Sequence, residues 1–248
     1  AQADVRLFGD EAAWFTLRGP EVPVVVGADR VAACRRAIEA LDAQVMVLDD
    51  AFQHIRLARD LDLVAVHARA GFGNGRLLPA GPLREPLSAL GRAQGLIFTY
   101  SESGEDAQAL TERHGLANGQ VTALCRMRPA GFSRGRSLEA ASDCPQKVWS
   151  LCGIARPEGF VRSVTEAGLD LLGADSLGDH ARLSVRRLRQ VNDRARAAGA
   201  QAILCTEKDL IKWPESDKGM LPALALRLDL EWLDDGARVI DELLEAVL

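Results

Sequence analysis

The sequence has few of the features that mark secreted, membrane-spanning or nucleic-acid-binding proteins. Its five cysteines are scattered, odd in number and without a CxxC pair, which favours reduced thiols in a cytosolic protein over a disulfide framework or a zinc site. It has no signal peptide, and its apolar runs are far shorter than a bilayer requires. A formal net charge of −5 argues against broad nucleic-acid binding. Peripheral contact with a membrane stays open.

What is present is the pattern of a globular α/β protein. Strand-like runs alternate with helix-like stretches along 248 residues, 48% of which are hydrophobic, so a parallel sheet with covering helices is expected. Internal repeats are absent. The predicted strands are 22–26, 45–48, 63–66, 95–99, 148–152, 169–172, 202–206 and 223–228, and the predicted helices are 31–41, 107–114, 157–167, 184–198 and 236–247.

Prolines and glycines between Arg126 and Pro145 predict an irregular connection between two domains. We therefore expect a core domain over 1–126, a linker over 127–145 and a smaller α/β domain over 146–248, with the active site in the cleft between the domains.

The segment 45–54 carries the clearest chemical signal. The apolar run Val45–Leu48 is typical of a buried parallel strand, and it is followed at once by Asp49 and Asp50. Carboxylates at the carboxyl end of a strand are suited to magnesium beside a nucleotide. Capping of a helix beginning near Phe52 explains one aspartate well and two poorly. His54 would lie one helical turn after Asp50, where a structural role is as plausible as a functional one.

Further segments narrow the field. Phe72–Pro86 reads FGNGRLLPAGPLREP, and with the DDAFQH of 49–54 it resembles the tetraacyldisaccharide 4'-kinase (lipid A 4'-kinase) family. The similarity continues, in the family's order, through Gly9-Asp10-Glu11, the CGIARP of 152–157, Asp179-His180 and the TEKD of 206–209. The match of the long loop is specific to the family by itself. The short GDE and DH matches support the resemblance only because they occur in the same order as in the family.

The resemblance implies an activity and its surroundings. A member of this family would have a P-loop-kinase-like parallel sheet domain plus a smaller C-terminal α/β domain. It would transfer the γ-phosphate of ATP, with Mg²⁺, to the 4'-hydroxyl of tetraacyldisaccharide 1-phosphate, a lipid A precursor. It would work as a peripheral protein at the cytoplasmic face of the bacterial inner membrane and would not bind nucleic acid.

The resemblance also implies roles for single residues. Asp10 would be the general base, although on spacing alone an ordinary helix cap is preferred there. His180 would pair with that base. Asp49 and Asp50 would bind magnesium, and His54 would orient a carboxylate or touch phosphate.

The remaining motif residues keep two interpretations each. Arg84 and Glu85 would contact nucleotide or form a surface ion pair, while Asn74 and Arg76 are candidates for the anionic substrate head. Thr206–Asp209 would line the cleft or form a capping box. The arginines from 182 to 196 would form a solvated face or attract anionic lipid.

One departure from the family is clear. Its members carry a phosphate-binding GGTGKTP-type loop near the N-terminus, and no G-x-x-x-x-G-K-[ST] occurs in these 248 residues. The resemblance thus implies a kinase without its first portion. Two rival functions follow: a truncated, non-catalytic remnant that binds the lipid, and a metal-dependent phosphohydrolase that needs no phosphate loop.

Overall fold

The structure is a computed structural model that describes residues 5–114, 116, 120–154, 157–177, 183–214 and 218–248. The helices described are α1 Val5–Phe8, α2 Asp10–Arg18, α3 Arg30–Leu41, α4 Gly104–His114, α5 Pro157–Glu166, α6 Val185–Ala197, α7 Glu207–Leu210 and α8 Gly236–Glu245, with a 3-10 helix over Leu87–Arg92. The strands are β1 Leu63–His67, β2 Gly95–Thr99, β3 Val121–Arg134, β4 Glu139–Ala141, β5 Lys147–Cys152, β6 Asp170–Ser176, β7 Ala202–Thr206 and β8 Ala223–Leu233.

The contacts divide the chain into two compact units. Unit 1 comprises residues 1–26 and 128–229, and unit 2 comprises residues 27–127 and 230–248. This grouping differs from the expected boundaries at 126 and 145, because residues 1–26 belong with the second half of the chain. The segment 127–145 is also no irregular linker. β3 runs through Pro129 and Gly131 and then pairs with β4 as an antiparallel hairpin.

Unit 1 contains parallel strands in the order β8-β7-β5-β6. β5 and β7 contribute the fully buried Leu151, Ile203 and Leu204, around which the core of the unit forms. α6 begins as the sequence predicts, since the Ser184 side chain accepts a hydrogen bond from the Arg187 backbone N–H. The α/β class with a mostly parallel sheet is therefore confirmed.

Unit 2 has its own parallel strands, β1, β2 and the first part of β3, in register over Leu63–His67, Gly95–Thr99 and 121–124. Leu96 and Phe98 lie at the centre of its core. A Cβ on Gly95 would meet the side chains of Leu63 and Leu243, so these two leucines pack directly against the backbone of β2. Most predicted helices and strands of both units are confirmed within a few residues.

Two predicted strands are wrong. Residues 22–26 and 45–48 have no strand structure, and Val47 is 96% exposed. An apolar run becomes a buried strand only when neighbouring strands bond both of its edges and side chains cover its faces. The described strands do not provide this for either run. The helix near Phe52 that the capping alternative requires is absent as well, because residues 52–56 lie in turns.

Candidate functional site

In unit 1, the GDE segment begins a helix. Gly9 precedes α2 with φ +85°, a left-handed conformation that glycine adopts without a steric penalty, and Asp10 is the first helical residue rather than its cap. A carboxylate in the first turn is favoured by the helix dipole. The Asp10 side chain is 20% exposed, and its Oδ2 lies 3.0 Å from Lys212 Nζ. Asp10 is thus a half-buried, ion-paired carboxylate that solvent reaches.

The TEKD segment follows the carboxyl end of β7, as predicted. Thr206 caps α7 by accepting a hydrogen bond from the Asp209 N–H, so the capping interpretation is confirmed for Thr206. Its hydroxyl also donates to Asp209 Oδ2 at 2.7 Å. The same oxygen accepts the Gly153 N–H at 3.0 Å, which joins the TEKD segment to the CGIARP segment that follows β5.

Glu207 is buried and satisfied by several donors. Its carboxylate accepts hydrogen bonds from Trp14 Nε1 at 3.0 Å and Ser133 Oγ at 2.8 Å, and it lies 3.6 Å from Arg18 Nε. Trp14 and Arg18 both belong to α2. Because a buried carboxylate is stable only when it is paired and hydrogen-bonded, this acid serves to anchor α2 on α7.

In unit 2, Asp49 and Asp50 are exposed. Asp50 adopts φ +48° in a turn, and its two carboxylate oxygens accept hydrogen bonds from Arg84 at 2.9 and 3.2 Å. These bonds raise the pKa of the Arg84 guanidinium above its ordinary value. The expectation that a buried strand would present the two aspartates is wrong, yet the contact does join the DDAFQH segment to the long loop.

The loop 72–86 is held by its own polar groups. The Asn74 side chain donates to the Ala80 carbonyl and accepts from the Arg76 N–H. A Cβ on Gly81 would collide with the Asn74 side chain and the Arg76 carbonyl, so this turn requires glycine. Asn74 therefore shapes the loop, while the Arg76 residue is exposed.

Glu85 has a different partner from the one expected. Its Oε2 accepts a hydrogen bond from Arg92 at 2.8 Å, and the Arg92 guanidinium lies over the Phe52 ring at 4.5 Å from the centroid. The loop is thus attached to residues 50–52 twice, through Arg84 and through Arg92. His54 is exposed, and its backbone closes a turn with Ala51.

His180, expected beside Asp10, lies outside the described residues, as do Asp179 and Arg182. Of the arginines that follow, Arg187 and Arg194 both contact Asp175, so part of the basic face of α6 is neutralised. Sequence reasoning missed Lys212, Arg18 and Arg92. No local signal links Lys212 to Asp10 across 202 residues.

Over the described part of the chain, no group of three or more acidic, histidine or cysteine side chains is arranged to bind a metal ion. Asp49 and Asp50 are neighbours in sequence and exposed, and both oxygens of Asp50 accept from Arg84. Magnesium is usually held by one or two carboxylates together with waters and substrate phosphates, so the residue types are suitable ligands. Within the same residues, no helix has the length and apolar character needed to cross a bilayer.

Comparison with known proteins agrees with the motifs. The sequence profile of the tetraacyldisaccharide-1-P 4'-kinase family matches residues 1–248. The tetraacyldisaccharide 4'-kinase of Anaeromyxobacter sp. (strain K) is 38% identical over 250 residues, which cover 97% of this chain and 65% of that protein. The enzyme of the same name from Desulfotalea psychrophila is 34% identical over 208 residues, covering 82% of this chain and 60% of that protein.

The fold agrees as well. The crystal structure of LpxK from Aquifex aeolicus, described as an "apo" form in complex with ATP, superposes with a TM-score of 0.69 at 25% identity and covers 96% of this chain and 69% of that one. The chain spans less than two thirds of the length of the two curated relatives named above. The resemblance inferred from the motifs is confirmed, and the chain belongs to the tetraacyldisaccharide-1-P 4'-kinase family.

Proposed function

We propose that the native polypeptide containing these 248 residues transfers the γ-phosphate of ATP to the 4'-hydroxyl of tetraacyldisaccharide 1-phosphate. The observation that carries the proposal is Asp10. It is a solvent-accessible carboxylate fixed at the start of α2 by an ion pair, in a chain whose family is named for this reaction. Phosphoryl transfer to a hydroxyl needs a carboxylate in that state to accept the hydroxyl proton.

Asp10 acts as the general base. Its carboxylate takes the proton of the 4'-hydroxyl as the bond between the 4'-oxygen and the γ-phosphorus forms. The bond from the γ-phosphorus to the bridging oxygen breaks, and ADP leaves with that electron pair. His180 is proposed to orient the base. Because the covalent demands on the protein are small, positioning and charge neutralisation provide most of the rate enhancement.

The residues of unit 2 are proposed to bind the nucleotide and the substrate head. Magnesium, when bound with ATP, neutralises charge on the transferring phosphate, and Asp49 and Asp50 would hold it. Arg84, His54 and Glu85 are assigned to the nucleotide side. Arg84 is exposed and offers a planar fork that suits a phosphate oxygen pair.

The substrate and location complete the proposal. Asn74 and Arg76 would contact the anionic head of the lipid A precursor, with Asn74 acting through the shape of the loop. The protein would be peripheral to the cytoplasmic face of the inner membrane, with no nucleic acid among its partners.

The test is product analysis on the purified native polypeptide in detergent micelles with the tetraacyldisaccharide 1-phosphate. Phosphorus NMR should show a new monoester at the 4'-position, and ADP should appear in equal amount. Two results would contradict the proposal: inorganic phosphate released from a simple ester without ATP, as from a phosphohydrolase, or lipid binding with no ATP consumption.

A further inference from the structure

The side chains that attach α2 to α7 are not equivalent. Lys208 Nζ lies 2.8 Å from Glu11 Oε1, and the side chains of this pair are 39% and 57% exposed. Lys212, just beyond the end of α7, lies 3.0 Å from Asp10, with side-chain exposures of 21% and 20%. Because water screens an exposed ion pair more strongly than a half-buried one, the Lys212 contact acts on its carboxylate more strongly.

Lys212 is also shared with a second carboxylate. Its Nζ lies 3.7 Å from Asp209 Oδ1, and the Asp209 side chain is only 4% exposed. The other oxygen of Asp209 is occupied by the Gly153 N–H and the Thr206 hydroxyl. Asp209 is therefore held by the ends of β5 and β7, and one of its oxygens lies on the Lys212 side.

Three of the sequence motifs thus form one connected chain of contacts within unit 1. It runs from Gly153, in the CGIARP segment, to Asp209, in the TEKD segment, then to Lys212 and finally to Asp10. A flexible lysine placed between a fixed and a half-exposed carboxylate loses much of its rotamer freedom, so the position of its ammonium group is defined. That ammonium group in turn restricts the Asp10 carboxylate and favours its ionised form.

We propose that Lys212 is a positioning residue for the phosphoryl transfer, holding Asp10 ionised and oriented for the incoming hydroxyl, with Asp209 fixing Lys212 in place. The proposal rests on the proposed function, in which Asp10 is the base. Lys212 acts through Asp10 and is assigned no contact with substrate.

The kinetic test compares Lys212→Met with Lys208→Met in the native polypeptide. Both remove a lysine paired with an acid of α2, so the second is a matched control. Loss of the Lys212 ammonium should lower kcat about ten- to a hundredfold, since a misplaced catalytic group costs rate, and should leave KM for ATP within about twofold because binding is unchanged. Lys208→Met should retain wild-type kcat within about twofold.

Two further variants separate charge from packing. Lys212→Arg keeps the cation and should recover most of the lost kcat, while Lys212→Gln keeps a hydrogen-bond donor without the charge and should not. Circular dichroism and thermal unfolding establish that each variant is folded. Equal kcat for Lys212→Met and Lys208→Met, or full recovery in Lys212→Gln, would overturn the proposal.

A measurement that does not depend on catalysis distinguishes the positioning role of Lys212 from the proposed kinase function. The ionisation of Asp10 can be followed by carbon-13 NMR of its carboxyl carbon. The other charged groups of α2 and α7 are Glu11, Arg18, Glu207, Lys208 and Asp209. The midpoint should lie at higher pH in Lys212→Met than in the wild type and should be unaltered in Lys208→Met. An unchanged midpoint in Lys212→Met would overturn the positioning role, whereas a wild type that transfers no phosphate would overturn the proposed function instead.

Discussion

The two units contain motif residues of the same chemical type in different states. In unit 1, the carboxylates of Glu207 and Asp209 are buried and hydrogen-bonded, and Asp10 is half-buried against Lys212. In unit 2, Asp49 and Asp50 are exposed, and Asp50 is paired with the exposed Arg84. The proposed base is therefore held by a half-buried ion pair that is linked to buried, hydrogen-bonded groups, while the proposed magnesium ligands lie in a solvated turn.

A functional side chain is fixed in place when the segment that carries it is attached to a packed core. The carboxyl ends of β5 and β7 carry the residues that bind Asp209, which contacts the Lys212 that pairs with Asp10, so core packing determines where these residues lie. The apolar run before Asp49 has no such support, since Val47 is almost fully exposed. An identical residue type is thus pre-organised in one unit and only loosely constrained in the other.

The largest effect is expected from removal of the buried Glu207 carboxylate in unit 1. Glu207→Ala would leave Trp14, Ser133 and Arg18 without their shared acceptor, and we expect a loss of about 3–5 kcal/mol in the free energy of unfolding. Chemical denaturation of the whole chain, with hydrogen exchange at the β7 amides as the probe of unit 1, measures this loss. Glu11→Ala, at an exposed pair on the same helix, should cost less than about 1 kcal/mol. Similar losses in the two variants would show that burial does not distinguish them.

A smaller effect is expected in the apolar run of unit 2. Val47→Ser should change the free energy of unfolding of this chain by no more than about 0.5 kcal/mol, as a surface substitution does. Thermal unfolding measures the change. By contrast, Leu204→Ala removes a fully buried side chain of β7 and should cost about 2–5 kcal/mol. A Val47→Ser loss comparable to that of Leu204→Ala would mean that residues 45–48 are buried after all.

These outcomes also separate what the sequence could and could not predict. Runs such as Gly95–Thr99 and Ala202–Thr206 were predicted with their observed bounds, because their neighbours in the sheet are also strands of this chain. The strand prediction for Val45–Leu48 is based on the same pattern but is wrong, since an apolar run does not indicate whether partner strands are present. Pro129 and Gly131 concealed β3, because both residues are also common in loops.

The motif residues of the site could be identified from the sequence, but the contacts between them could not. Motif order and chemistry identified Asp10 and the TEKD segment, and the strand end at Thr206 was correct. The Asp10–Lys212 and Asp50–Arg84 contacts join residues far apart in sequence, which no local spacing encodes.

A small effect is also expected at Asp229, in unit 1. A hydrogen bond from Arg18 at 2.6 Å, with further contacts to Arg227, lowers the pKa of Asp229 below its ordinary value of 3.8. Because the pKa is depressed in the folded state, the stabilisation is present above the unfolded-state value and is lost as pH falls through the folded-state value. The side chain is 45% exposed, so Asp229→Asn should cost less than about 1 kcal/mol at neutral pH.

Unfolding measured from neutral pH to well below pH 3.8 checks this prediction. The gap in stability between wild type and Asp229→Asn should narrow as the solution is acidified. A gap that stays constant would indicate that Arg18 does not stabilise the ionised form of Asp229.

We propose that unit 1 supplies the general base and unit 2 the magnesium–nucleotide ligands, and paired binding and turnover measurements on Asp10→Asn and Asp49→Asn decide whether this is so. In the native polypeptide, both variants should lose about 10²-fold or more in kcat. Only Asp49→Asn should also bind magnesium–ATP more weakly, while Asp10→Asn binds it as the wild type does. Near-normal turnover by Asp10→Asn, or equal loss of nucleotide affinity in both variants, would contradict the account.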